Sequence, residues 1–141
     1  MDEGRQRRTY AVLALVTGIL GMAGGGTLAV IGVWVAFVEP AYLDRASRLL
    51  LGGWGAAGLI GIAGWLWLSG CYLRHGRDGL RASGRWAWAA LWLGMLASVP
   101  VVGMAVWHAT ESPLGLVLLL AGPPMALPAA RLVQLRRTRG S

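Results

Sequence analysis

The feature that most constrains this chain is a series of four long apolar stretches that carry almost no charge. They lie at roughly residues 10–38, 49–73, 86–107 and 114–130. A bilayer core about 30 Å thick needs about 20 apolar residues in an α-helix, with a range of about 17–25. Lipid cannot hydrogen-bond the backbone N–H and C=O groups of an irregular segment, so such stretches are expected to form helices. We therefore predict an all-α integral membrane bundle of four transmembrane helices, occupying residues 10–133.

The composition argues against a water-soluble domain. Hydrophobic residues make up 56% of the chain and charged residues only 13%, whereas a soluble domain has about 25% charged residues. The segments outside the predicted bundle, residues 1–9 and 134–141, are short tails. The sequence thus predicts a single membrane domain with no soluble domain attached.

The first apolar stretch follows a basic start, as in a secretory signal peptide. A signal peptide has an apolar core of only about 7–15 residues, but this stretch continues to Val38. We interpret it as a retained helix. Because it is long for one crossing, we expect either a tilt or a local break at Gly24, Gly25 and Gly26.

The arginines indicate how the bundle is oriented. All thirteen basic residues are Arg, and only two of them, Arg45 and Arg48, fall on one side of the predicted membrane. Basic residues favour the cytoplasmic side, so both termini and the 74–85 loop are predicted to be cytoplasmic, in a bacterial inner membrane. The other eleven, on the cytoplasmic side, are Arg5, Arg7, Arg8, Arg74, Arg77, Arg81, Arg85, Arg131, Arg136, Arg137 and Arg139.

These basic residues also bear on binding partners. Arg binds phosphate through two parallel hydrogen bonds, so Arg74, Arg77, Arg81 and Arg85 are candidate contacts for lipid headgroups. The alternative is that they serve only as orientation signals. Because the arginines flank apolar stretches, the basic character indicates membrane lipids as partners and not nucleic acid.

The second helix carries small residues on one face. Gly53, Ala57 and Gly61 recur every four residues. In lipid, helices associate largely through close packing of small residues. This face is therefore a candidate helix-packing interface, either within the monomer or with another chain. We expect Gly61→Leu to disrupt folding or assembly.

Residues able to support catalysis, metal binding or cofactor binding are sparse. His75 and His108 fall on opposite sides of the predicted membrane, so they cannot share a haem in one chain. Cys71 and His75 are spaced for two metal ligands, but only Asp78 is near them in sequence. A His with carboxylates is the minimum set for general acid–base catalysis, and the outer loops contain one, although no nucleophile motif accompanies it. These residues are Glu39, Asp44, His108 and Glu111. We predict no catalytic, metal or cofactor site.

Ionisable residues are also missing from the middle of all four stretches. Such residues mark proton and ion pathways in membranes, so their absence argues against a proton-coupled transporter. The fourth stretch is interrupted by Gly122, Pro123 and Pro124, which are expected to break its helix. Broken helices form the binding sites of some transporters.

Three functions remain open on the sequence. The first is a small non-catalytic accessory or structural subunit, which packs through its Gly-rich second helix in a membrane complex or homo-oligomer. The second is a homo-oligomeric pore, channel or carrier, with the broken fourth helix at the pathway. The third is a membrane enzyme that acts on a lipid substrate. The lack of site chemistry favours the first.

Overall fold

The structure, a computed structural model, describes residues 3–38, 43–109 and 126–137, and within these ranges the chain is helical and contains no strand. The first helix is divided by a π-helical turn at Met22–Gly26. The α-helices in chain order are α1 (Glu3–Gly21), α2 (Thr27–Val38), α3 (Arg45–Ala82), α4 (Arg85–Ala109) and α5 (Ala126–Arg137). The all-helical fold class is confirmed.

Three segments are long and apolar enough to cross a membrane: Gly4–Val38, Arg45–Ala82 and Arg85–His108. They correspond to the first three predicted stretches and support a multi-pass membrane protein. Most of the fourth stretch, 114–130, lies outside the described residues, as do Gly122, Pro123 and Pro124. Its end is helical in α5, which continues beyond Ala130 to Arg137.

Large apolar side chains cover the outside of the bundle. Leu50, Phe37 and Trp107 are each at least 70% exposed, and many other apolar residues are more than half exposed. A soluble monomer rarely exposes apolar patches of this extent. Exposure of apolar side chains to lipid carries no such cost, so this surface is suited to a lipid environment.

The first stretch is irregular at its glycines, where it forms the π-helical turn. The turn coincides with Gly24, Gly25 and Gly26, which have low helix propensity and no side chains to hold a regular turn. A π-helical turn commonly bends a helix where it inserts an extra residue. The Thr27 hydroxyl donates a hydrogen bond to the Ala23 carbonyl across this turn. The sequence predicted either a tilt or a break at these glycines, and the helix is irregular there.

The α2–α3 connection is stabilised by two capping interactions. The Asp44 carboxylate accepts hydrogen bonds from the backbone N–H of Ala46 at 3.1 Å and of Ser47 at 3.3 Å, which satisfies free donors at the start of α3. These hydrogen bonds, those from Ser47 above all, lower the pKa of the Asp44 carboxyl below its ordinary value. The Arg48 Nε donates to the Ala36 carbonyl at 3.0 Å, near the end of α2.

The α3–α4 connection depends on Gly76. Its backbone has φ 65° and ψ −146°, a conformation that residues with a Cβ rarely adopt. The helix is kinked there and continues to Ala82, with Leu80 buried in the core. Gly79 packs against the end of the preceding helix, since an added Cβ would lie 2.5 Å from the Cys71 carbonyl oxygen.

The main hydrophobic core lies at the end of the bundle where α1 starts, α3 ends and α5 ends. Tyr10 and Tyr72 contact edge to face, with ring centroids 5.1 Å apart. The Arg136 guanidinium lies 4.5 Å from the centre of the Trp88 ring, which is a cation–π contact. The buried core residues at this end are Tyr10, Trp65, Leu68, Tyr72, Leu80, Ala87, Trp88, Leu91, Ala129, Leu132 and Leu135.

Candidate functional site

The glycines of α3 allow close contact with two different helices of the same chain. On the face toward α2, a Cβ added at Gly55 would lie 2.5 Å from the Ala29 carbonyl oxygen. On the face toward α4, a Cβ added at Gly64 would lie 2.7 Å from the Ala90 Cβ. Both positions therefore need glycine for the helices to approach as closely as they do.

The closest approach of α3 and α4 is at Gly61 and Gly94. A Cβ added at Gly94 would lie 2.5 Å from the Gly61 Cα, and one added at Gly61 would meet the Gly94 Cα at least as closely. Carbon atoms in contact are normally about 3.5–4.0 Å apart. The two backbones are thus in direct contact, and neither position has room for a side chain.

The three residues of the predicted packing interface therefore lie in different surroundings. Gly61 packs within the chain against α4, and Ala57 is half-buried. Gly53 is exposed, and a Cβ added there would meet no atom within 4 Å. Ala56 and Ala63 are also exposed on α3. We call Gly53, Ala56 and Ala63 the outer α3 face.

A partly open cavity of about 90 Å³ lies between the π-helical turn, α3 and α4. Its described walls are glycine and apolar side chains, with Ser98 the one hydroxyl among them and no titratable group. The Ser98 hydroxyl donates to the Met95 carbonyl at 2.6 Å. Since a benzene-sized ligand fits an apolar cavity of about 150 Å³, this space suits only a small apolar molecule.

Two polar contacts join helices of the bundle, one beside this cavity and one in the main hydrophobic core. The Trp54 indole N–H donates to the Ala97 carbonyl of α4 at 2.7 Å, beside the turn that Pro100 interrupts. The Tyr10 and Ser69 hydroxyls are 2.7 Å apart and form a hydrogen bond between α1 and α3. Both contacts satisfy groups that lipid would leave unpaired.

The four candidate headgroup arginines also differ in their surroundings. Arg77 is half-buried, and its Nη2 donates to the Gln6 Oε1 at 3.0 Å, which ties α3 to the start of α1. Arg74, Arg81 and Arg85 are exposed. The structure thus leaves three of the four accessible to a ligand and uses the fourth in packing.

The candidate chemical groups do not form a site among the described residues. No group of three or more His, Cys, Asp or Glu side chains within the described ranges is placed to hold a metal ion. His75 is exposed, and the His108 Nδ1 lies 3.0 Å from the Met104 carbonyl oxygen of its own helix. Glu39 and Glu111 lie outside the described residues, so the outer acid–base group is not described as a whole.

The partner of Gly61 was not predicted from the sequence, although a signal for it exists. Ala87, Ala90 and Gly94 recur at helical spacing and form a small-residue face on α4 that matches the one on α3. Pairing these two faces would have assigned Gly61 to an intramolecular contact.

Comparison with protein-family models, curated proteins and solved structures found no match for this chain. Its function must therefore be inferred from its own residues.

Proposed function

We propose that this protein is a small non-catalytic subunit of a membrane assembly, which packs through the outer α3 face against another membrane-spanning chain. That chain is either a second copy or a different protein. The observation that carries the proposal is the open space over Gly53, on a helix in which Gly55, Gly61 and Gly64 are in close contact inside the bundle. Small residues let a second helix approach closely, and close packing is the main attraction between helices in lipid.

The absence of charge around the interior cavity supports a structural role over a catalytic one. None of its described lining residues can transfer a proton or bind an ion by charge. Among the described residues, the surface available for a partner is therefore on the outside of the bundle. A subunit of this kind would contribute helix contacts, not chemistry.

The experiment compares two glycine substitutions that differ only in the face they alter. Gly53 and Gly103 are both exposed helical glycines with no atom within 4 Å of an added Cβ. Gly53→Leu should dissociate the assembly in native mass spectrometry while the monomer stays folded. Gly103→Leu, on α4, should leave the assembly intact. Equal behaviour of the two variants would overturn the proposal.

A carrier of small apolar molecules is the second candidate, and the interior cavity favours it. The cavity lies beside the π-helical turn, and such turns are frequent at functional sites. A substitution that fills the cavity, Gly58→Leu, should then abolish saturable binding of a small hydrocarbon to the purified protein, measured above its partitioning into protein-free micelles. Binding equal to that of the unsubstituted protein would reject the carrier.

We also propose that the bundle lies in a bacterial inner membrane with both termini in the cytoplasm. Contacts between the arginine-rich segments support a shared side of the membrane for them, and their excess of Arg supports the cytoplasmic side. Arg77 binds Gln6 of α1, and Arg136 of α5 lies over Trp88 of α4. A membrane-impermeant thiol reagent should label Arg5→Cys only in inverted vesicles, in a Cys71→Ser background. Labelling in right-side-out cells would contradict this orientation.

A further inference from the structure

We propose that an anionic phospholipid of the surrounding bilayer binds at the basic end of the bundle, on a surface made by Trp67, Gly70 and Arg74 of α3 with Arg85 and Trp86 of α4. The phosphate lies on the two arginines, and an acyl chain lies in the space over Gly70. We call this surface the lipid cleft. It lies on the same side of α3 as the outer α3 face, since Ala56, Ala63 and Gly70 follow one another every seven residues, but it is nearer the basic end of the helix. Its test measures bound lipid and does not require the proposed assembly.

The α3 side of the lipid cleft follows from helical spacing. Trp67, Gly70 and Arg74 are three and four residues apart, so they share one face of the helix. Trp67 is 54% exposed and Arg74 is exposed. Between them, a Cβ added at Gly70 would meet no atom within 4 Å. A notch therefore separates an exposed aromatic ring from an exposed cation.

The α4 side is brought alongside by a contact between two tryptophans. The Trp67 and Trp86 ring centroids are 5.6 Å apart with their planes inclined at 52°. Trp86 is 58% exposed, and its neighbour Arg85, at the start of α4, is exposed as well. Trp86 is an exposed tryptophan at a helix end, which suits the level of the lipid headgroups. Arg85 adjoins it, and Arg74 lies about two helical turns beyond Trp67 toward the same end of the bundle, so both arginines are on the headgroup side of Trp67.

The order of these residues along α3 matches the order of groups in a phospholipid. Arg74 is nearest the helix end, Gly70 is one turn deeper and Trp67 is deeper still. A phosphate bound by Arg74 and Arg85 therefore has its acyl chain running past Gly70 and beside the Trp67 ring. Arg forms two parallel hydrogen bonds to phosphate oxygens, which suits it to this role. A zwitterionic lipid offers the same phosphate but carries a cation that the arginines repel.

The other arginines at this end distinguish a specific site from general attraction. Arg77 is already bound to Gln6 and is not part of the lipid cleft. Arg5 and Arg8 are exposed on α1 and would attract any anionic surface. Removing the same number of charges from α1 therefore provides a control at the same end of the bundle.

The experiment measures lipid retained by the full chain in native mass spectrometry, after extraction from nanodiscs of equimolar phosphatidylglycerol and phosphatidylcholine. An arginine near an anionic lipid surface is worth about 1 kcal/mol, which is about fivefold in affinity. The double variant R74Q/R85Q should therefore lose phosphatidylglycerol by about 25-fold. Lipid that is only attracted to the surface is removed on extraction, so the control R5Q/R8Q should lose less than about threefold. Equal losses in the two variants would overturn the proposal.

The notch is tested separately from the charges. Gly70→Leu fills it without changing charge and should lower phosphatidylglycerol retention at least about fivefold, the same scale as the loss of one arginine. Gly103→Leu, on an open position of α4, should not. If Gly70→Leu does not fold, Gly70→Ala gives the same comparison with a smaller group. Unchanged retention in the folded variant, or displacement of the lipid by inorganic phosphate, would show that no acyl chain is held and would overturn the proposal.

Discussion

The direct backbone contact between Gly61 and Gly94 makes a sharp prediction for alanine substitutions. Gly61→Ala places a methyl group where the Gly94 Cα already lies, so α3 and α4 must separate. Gly53→Ala adds the same methyl group where no atom lies within 4 Å. Alanine also has the higher helix propensity, by about 1 kcal/mol. Because that gain is common to both variants, it cancels when they are compared.

The magnitude follows from the size of the overlap. An added Cβ approaches within about 2.5 Å of the opposing Cα, as in the reciprocal case at Gly94. Carbon contacts need about 3.5–4.0 Å, so the helices must separate locally by about 1–1.5 Å. A flexible side chain would yield to the methyl group at low cost, but here the obstacle is backbone. Overpacking of this kind costs about 1–3 kcal/mol, which is the expected difference in unfolding free energy between the two variants.

The assay is reversible unfolding by dodecyl sulfate in mixed micelles, followed by tryptophan fluorescence and far-ultraviolet circular dichroism. Gly61→Ala should unfold at lower denaturant than Gly53→Ala. Gly94→Ala should resemble Gly61→Ala, and the double variant should be less destabilised than the sum, because the first methyl group already separates the helices. Equal or greater stability of Gly61→Ala would refute the backbone contact.

Three further predictions concern the ends of the helices and the buried hydroxyls. Gly76→Ala forces a Cβ into a conformation that costs about 1–3 kcal/mol, so its unfolding midpoint should fall while that of Gly70→Ala does not. Tyr10→Phe removes the hydrogen bond to Ser69 and should lower the free energy of unfolding by about 0.5–1.5 kcal/mol. The double variant Tyr10→Phe/Ser69→Ala should be less destabilised than the sum of the two single variants. Destabilisations that simply add would contradict the hydrogen bond. Because folding lowers the pKa of Asp44, its cap contributes fully above the ordinary pKa of 3.8 and is lost as the pH falls through the lowered value. The stability advantage over Asp44→Ala should therefore fall in acid toward the advantage of Asp44→Asn, an uncharged cap whose own advantage should not change with pH.

Hydropathy alone predicted the helical class and the first three membrane segments, because lipid permits few other structures for long apolar stretches. The three consecutive glycines also indicated where the first helix is irregular. The end of α3 at Ala82 could not be predicted from the sequence, because the helix is kinked at Gly76 and then continues. A single positive φ at one of many glycines leaves no periodic pattern to detect.

The candidate site was predicted only in outline. Spacing correctly grouped Gly53 and Gly61 on one helix, but it did not show that the first is open and the second is packed against Gly94. That difference depends on where α4 crosses α3, which is a tertiary property. The four arginines likewise looked equivalent in the sequence, although Arg77 is engaged by Gln6, far away along the chain.

The most direct test of the proposed assembly is native mass spectrometry of the unsubstituted protein after gentle detergent extraction from its source membrane. The proposal predicts that the chain is recovered at a fixed ratio with other membrane chains, or as a homo-oligomer of defined size. Recovery only as a monomer, at concentrations where the fold stays intact, would contradict it.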